Sequence, residues 1–193
     1  MDGPLPGTDD TTYFRYDAGR QLLGAIGPDP DGAGLLLRRA SRFSYNADGQ
    51  TTLAEQGTVN GLTDPDWTAF ASLQQSATAY DFVGRPVQAS LAGGGTTFSL
   101  GQTSYDAANR VDCTALRMNP ATFASPPAAC TLATQGAYGP DRIARNSYDI
   151  ANQLIKVTNG VGTAAPIEDW AATYTANGLV ATITNAQGRL TTN

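Results

Sequence analysis

The chain has 193 residues, long enough for a sizeable core, and carries a net charge of −5 with no histidine and a single lysine, Lys156. Without histidine there is no Ser-His-Asp or Cys-His arrangement and no histidine metal site. The arginines are scattered apart from Arg38, Arg39 and Arg42, so no basic stripe exists for nucleic acid, and no apolar run approaches the ~20 residues of a membrane span. Only 15% of residues are charged, with 21 Gly and 11 Pro, the profile of a turn-dense β protein. Nearly every acid is an aspartate, which suits turns. Glu55 and Glu168 are the only glutamates, and each lies in a polar stretch where a solvated side chain is expected.

The first twelve residues, from Met1-Asp2-Gly3-Pro4, have neither the basic start nor the apolar core of a signal peptide, and residues 1–12 are expected to be a disordered or linker N-terminus. From there one short pattern recurs. It reads Tyr16-Asp17-Ala18-Gly19-Arg20, Tyr45-Asn46-Ala47-Asp48-Gly49-Gln50, Tyr80-Asp81-Phe82-Val83-Gly84-Arg85, Tyr105-Asp106-Ala107-Ala108-Asn109-Arg110, Tyr148-Asp149-Ile150-Ala151-Asn152-Gln153 and Tyr174-Thr175-Ala176-Asn177-Gly178-Leu179. Asn185-Ala186-Gln187-Gly188-Arg189 reads as a seventh copy that has lost its tyrosine. Repetition on this scale predicts a stacked array over 13–193 rather than one enclosed active-site domain.

Each copy predicts a hairpin turn. The leading Asp or Asn can accept a bond from the backbone two residues on, and the Gly, or Asn at 109 and 152, accepts the positive φ needed to re-enter a strand. The first copy reads as one residue shorter between Asp17 and Gly19, so a different turn type is expected there. Flanks such as Phe43-Ser44-Tyr45 before a turn, and Leu154-Ile155-Lys156-Val157-Thr158 after one, fit strands. A single hairpin is marginal in water, so each is expected to lie against its neighbours, with tyrosines supplying much of the shared face.

Between copies lie inserts. Gly27-Pro28-Asp29-Pro30-Asp31-Gly32 predicts a tight surface turn, since the remaining ligands of a calcium loop are missing. The segment after Asp64 predicts a helix over roughly 65–76, with Asp64 as N-cap and Trp67 and Phe70 at helical spacing. That helix either covers its own sheet or anchors a partner. The two cysteines, Cys113 and Cys130, bracket a proline-rich loop; a disulfide would pin it, worth ~3 kcal/mol, and would imply an oxidising destination, the alternative being two free thiols. Gly139-Pro140-Asp141-Arg142-Ile143 reads as a turn feeding a strand.

These residues resemble the YD repeats of the Rhs family, shared with bacterial toxin-complex cocoon proteins and animal teneurins, over the chain from about Tyr13 to its end. The resemblance rests on Tyr16, Asp17, Gly19 and Arg20; Tyr45, Asn46 and Gly49; Tyr80, Asp81, Gly84 and Arg85; Tyr105, Asp106, Asn109 and Arg110; Tyr148, Asp149 and Asn152; and Tyr174 and Gly178. It implies an all-β fold of consecutive antiparallel hairpins forming a curved sheet, a segment of a spiral β-shell. In bacterial members such a shell commonly encloses a C-terminal toxin. The implied partners are therefore flanking YD repeats and an effector domain of the parent chain, in a secreted or cell-surface setting.

Six hairpins are too few to close a shell, so a piece of a larger one is expected. No catalytic residue, cofactor or metal ligand is expected. The alternative is an extracellular binding module, in which exposed tyrosines, Trp67 or Trp170 stack on carbohydrate.

Overall fold

The computed structural model describes residues 11–32 and 34–192. The expected N-terminal linker therefore falls almost wholly outside the described residues. Among the described residues the chain is all-β apart from one helical turn and one 3-10 turn. Its strands are β1 (Tyr13–Tyr16), β2 (Leu22–Ile26), β3 (Arg38–Tyr45), β4 (Thr51–Val59), β5 (Ala71–Tyr80), β6 (Pro86–Gly93), β7 (Thr96–Tyr105), β8 (Val111–Leu116), β9 (Arg142–Tyr148), β10 (Leu154–Asn159), β11 (Ile167–Tyr174), β12 (Val180–Asn185) and β13 (Leu190–Thr192). Strand order follows the sequence from β1 to β13, with no crossover. The chain divides into two compact units, Met1–Phe98 and Ser99–Asn193.

Every odd-to-even connection is built the same way. Tyr16 pairs with Leu22, Tyr45 with Thr51, Tyr80 with Pro86, Tyr105 with Val111, Tyr148 with Leu154 and Tyr174 with Val180. In each intervening loop the first residue's N–H donates to the fifth residue's carbonyl, and the fourth residue's N–H returns to the first carbonyl; Asp81 to Arg85 (2.9 Å) and Gly84 to Asp81 (3.0 Å) show the pattern. The fourth residue takes positive φ, as at Gly49 (77°), Gly84 (85°), Asn109 (64°), Asn152 (65°) and Gly178 (79°). This is a type I turn closed by a one-residue bulge, which restores the strand twist.

Two expectations change here. The first turn is not shorter: it runs Asp17-Ala18-Gly19-Arg20-Gln21, and Arg20, not Gly19, holds the positive φ (64°). Gly19 sits at the third position, where a type I turn asks for ordinary φ. Asn185–Arg189 has the same turn geometry, but it joins β12 to β13 and so lies on the opposite edge from the turn joining β11 to β12. It is a return connection rather than a lost copy. The uneven spacing of the tyrosines comes from these even-to-odd returns, which carry the inserts 27–37, 60–70 and 117–141.

The helix also differs from its expected extent of 65–76. α1 spans Asp64–Thr68 only, and its N-cap is Thr63, in a reciprocal capping box with Asp66. Residues 71–76 belong to β5, which pairs with β4 on one side (Ser76 opposite Ala54) and β6 on the other (Ser76 opposite Leu91). Extending the helix would strip both neighbouring ladders, and Leu73, three residues after Phe70, is exposed.

Within the first unit, Trp67 and Phe70 close over Ile26, Ala40 and Val59, with Tyr13 and Leu62 alongside, so α1 covers its own sheet. Glycines make the contact possible: a Cβ at Gly24 would sit 2.5 Å from the Trp67 ring and one at Gly57 2.7 Å from Phe70. Within the second unit, the insert after β8 lays Ala129, Cys130 and Leu132 over Cys113, Ala115 and Ile143.

The turn geometry sets a test. Gly84→Val should lower stability by about 1 kcal/mol or more, because a β-branched residue resists positive φ, whereas Arg20→Gly should raise it by ~0.5 kcal/mol. Urea midpoints of the two variants should move in opposite directions.

Candidate functional site: the turn edge and the disulfide insert

The turns are bound to one another as well as closed on themselves. In the first unit Tyr45 donates its hydroxyl to the carbonyl of Leu22 (2.8 Å) and Tyr80 donates to that of Thr51 (3.1 Å). In the second unit Tyr148 donates to Val111 (2.9 Å) and Tyr174 to Leu154 (2.7 Å). Every acceptor is the first residue after the preceding turn. At these four positions the repeated tyrosine is therefore a backward staple, its ring half-buried between hairpins and its hydroxyl spent on a backbone oxygen.

A forward staple comes from the fifth turn residue. Gln50 donates Nε2 to the Gly84 carbonyl (2.7 Å), and Arg110 donates to the Asn152 side-chain oxygen (2.7 Å). Arg110 also lies over the Tyr148 ring, 4.4 Å from its centroid. The same arginine closes its own turn, with Nε on Asp106 at 2.7 Å; Arg85 does likewise on Asp81. Where Asn46 replaces the aspartate, Gln50 replaces the arginine and accepts from Asn46 Nδ2 (3.0 Å). Leading and fifth residues match in charge at these three turns, whereas Asp17 and Asp149 are followed at the fifth position by the neutral Gln21 and Gln153.

The leading side chain organises the loop. Asp81 Oδ1 accepts from the N–H groups of Val83 (3.1 Å) and Arg85 (2.9 Å), and Asp106, Asp149 and Asn46 repeat the arrangement. Burial works against an ionised Asp81, but the Arg85 and Val83 N–H groups and the Arg85 guanidinium outweigh it and hold its pKa below the usual range. For Asp106 the Arg110 guanidinium is the leading cause of the same downward shift.

The second cluster lies in the insert 117–141. Cys113 and Cys130 form a disulfide with Cα atoms 5.4 Å apart. Asp112 joins them, so that a carboxylate oxygen and both sulfurs lie within 4.8 Å of one another, but the sulfurs are bonded to each other and offer no thiolate to a metal. Beside this cross-link, the buried Arg117 meets the buried Asp141 at 2.6 Å. Arg117 also donates to the carbonyls of Pro127 (2.9 Å), Ala128 (2.9 Å) and Thr131 (2.7 Å) and to Gln102. Asp141 accepts from the N–H groups of Met118 and Ala133, both at 2.9 Å.

Burial would raise the Asp141 pKa; the Ala133 and Met118 N–H groups and Arg117 reverse this and lower it. Asp141 is thus an internal counter-ion, more than the turn residue the sequence indicates. Glu55 is a parallel correction. It is buried, not solvated, taking Arg42 at 2.7 Å and Gln75 at 3.2 Å; burial raises its pKa, but these bonds and one to Ser72 leave it lowered. Glu168 stays exposed, 3.7 Å from Lys156.

No protein-family model matches the chain, and no curated protein does. Among solved structures it is similar to TcdB2-TccC3 without its hypervariable C-terminal region, at 15% identity and a TM-score of 0.34, over 90% of this chain and 10% of that one. It is similar also to the Tc holotoxin pore of Photorhabdus luminescens, at 12% identity and a TM-score of 0.33, over 90% of this chain and 12% of that one. The chain thus spans about a tenth of the length of the solved chains it matches.

Two outcomes are expected. Tyr148→Phe, which keeps the ring and removes the staple, should cost about 1 kcal/mol. Asp141→Asn should cost ~3 kcal/mol, because it leaves the Arg117 charge buried without its counter-ion. Because the folded Asp141 pKa is lowered, its contribution is fully present above the ordinary carboxylate range near pH 4 and is lost as pH falls through the depressed value. Acid titration followed by near-ultraviolet circular dichroism should show a pH dependence below ~4 that Asp141→Asn weakens.

Proposed function

We propose that this chain is a non-catalytic wall segment of an Rhs-type shell, which encloses or presents a toxin or effector domain of its parent protein in a secreted or cell-surface bacterial setting. The observation that carries this reading is the turn edge, where Tyr45, Tyr80, Tyr148 and Tyr174 staple backward and Gln50 and Arg110 staple forward. Such a device propagates hairpin after hairpin and does not converge on one point, as a wall requires. It also fits a chain whose partners are more hairpins of the same kind.

The acids support a structural role. Asp81, Asp106, Asp141 and Glu55 are held ionised by hydrogen bonds and arginines, the wrong direction for a general acid at neutral pH. The carbohydrate-module alternative needs flat, exposed rings. The tyrosines at 45, 80, 105, 148 and 174 are half-buried, as are Trp67 and Trp170, and Arg15 and Arg110 lie over Trp67 and Tyr148. Among the described residues, β1 and β13 are each paired on one side only, leaving ladder donors and acceptors for neighbouring repeats.

The wall reading expects concentration-dependent self-association through these strand edges in sedimentation velocity, and no turnover in hydrolase and transferase screens. A monodisperse monomer that binds an oligosaccharide with micromolar affinity would overturn it in favour of the binding module.

A further inference from the structure

The two sulfurs of the cross-link are not equally open to attack. Cys113 Sγ belongs to a residue with no exposure, packed among Ala115, Ala129 and Ile143, whereas Cys130 is partly exposed. An incoming thiolate therefore has one target, Cys130 Sγ, and the leaving group it expels is a thiolate inside an apolar cluster. Asp112 stands beside that target. Its Oδ2 lies 3.2 Å from Cys130 Sγ, while its Oδ1 accepts from Arg145 Nε at 2.9 Å. Ser104 Oγ completes the surroundings, 3.5 Å from Cys130 Sγ and accepting from the Cys113 N–H at 3.1 Å.

We propose that Asp112 is an electrostatic guard of the Cys113–Cys130 disulfide, which makes its reduction selective for the charge of the reductant. The exchange it controls is balanced. A thiolate bonds to Cys130 Sγ, the Sγ–Sγ bond breaks, and Cys113 leaves as a thiolate that takes a proton from solvent. A second thiolate then attacks the reductant's own sulfur in the mixed disulfide and releases Cys130. Two reductant thiols are oxidised to one disulfide while the protein gains two thiols.

The carboxylate acts twice. It repels the negative charge arriving at Cys130, and it disfavours the Cys130 thiolate released in the second step, since a like charge at this distance raises a thiol's pKa. Arg145 tempers both effects, because its half-exposed guanidinium neutralises part of the Asp112 charge. A doubly anionic thiolate should therefore be slowed, and a thiolate carrying its own ammonium group should be spared. The guarded bond holds the insert 117–141 beside the Arg117–Asp141 pair, so the insert is kept closed against small acidic thiols.

The test follows reduction of the intact protein by free-thiol release, using cysteamine and 2-mercaptoethanesulfonate at equal thiolate concentration, with the uncharged tris(hydroxypropyl)phosphine as a measure of sulfur access. Asp112→Asn should speed reduction by the sulfonate about tenfold, leave the phosphine rate unchanged, and shift cysteamine little. Arg145→Gln, which unmasks the carboxylate, should slow the sulfonate further. These opposite signs separate charge from loosening, because a merely disordered insert would accelerate all three reductants in both variants. Equal sulfonate-to-cysteamine ratios in wild type and Asp112→Asn, or acceleration of all reductants together, would overturn the proposal.

Discussion

Everything in this fold hangs from a residue with positive φ placed four positions into each tyrosine turn. That residue lets the chain reverse and re-enter a strand with one bulged residue, and the bulge sets the pairing of each tyrosine with the residue six positions on. Because the same reversal recurs, Tyr45, Tyr80, Tyr148 and Tyr174 come out in the same relation to the preceding turn, and the hydroxyl of each meets a carbonyl. A turn of another length would displace the tyrosine from that carbonyl and put alternate side chains on the wrong face.

One edge is thus held uniform, while the other is free to vary. The returns range from the two glycines at Gly94 and Gly95 to the cross-linked insert 117–141, and each covers or leaves bare the sheet beside it. In the first unit the cover is one capped helical turn with two aromatic rings. In the second it is an irregular segment that cannot form a ladder of its own. A disulfide and a buried ion pair with many backbone partners therefore do the work that regular structure does elsewhere. Inserts of different size are tolerated because the turn edge does not depend on them.

Most of the turn edge was legible because its chemistry is local. An Asp or Asn, a Gly or Asn three residues later, and an Arg or Gln after it lie within five residues, and the hydrogen bonds that close each turn span no more than four positions. Local reading failed where distant pairing decided. Trp67 and Phe70 are spaced as on a helix, yet residues 71–76 join β4 as a strand, and 74–76 pair with β6 as well. Gly19 looked like the residue for positive φ, but the hydrogen bonds place Arg20 there. Arg117 and Asp141 are 24 residues apart, and Glu55 meets Gln75 across a strand pair. Nothing local marks either acid as buried.

The central claim is that adjacent turns are energetically coupled, so that each hairpin stabilises the next. A double-mutant cycle on Arg110→Ala and Asn152→Gly isolates one forward staple, and glycine at 152 keeps the positive φ while removing the side chain. The account predicts a coupling of about 1 kcal/mol in equilibrium unfolding, falling in high salt to no less than the residual hydrogen bond. Additivity within ~0.3 kcal/mol would contradict it, leaving the turns as independent reversals that merely lie side by side.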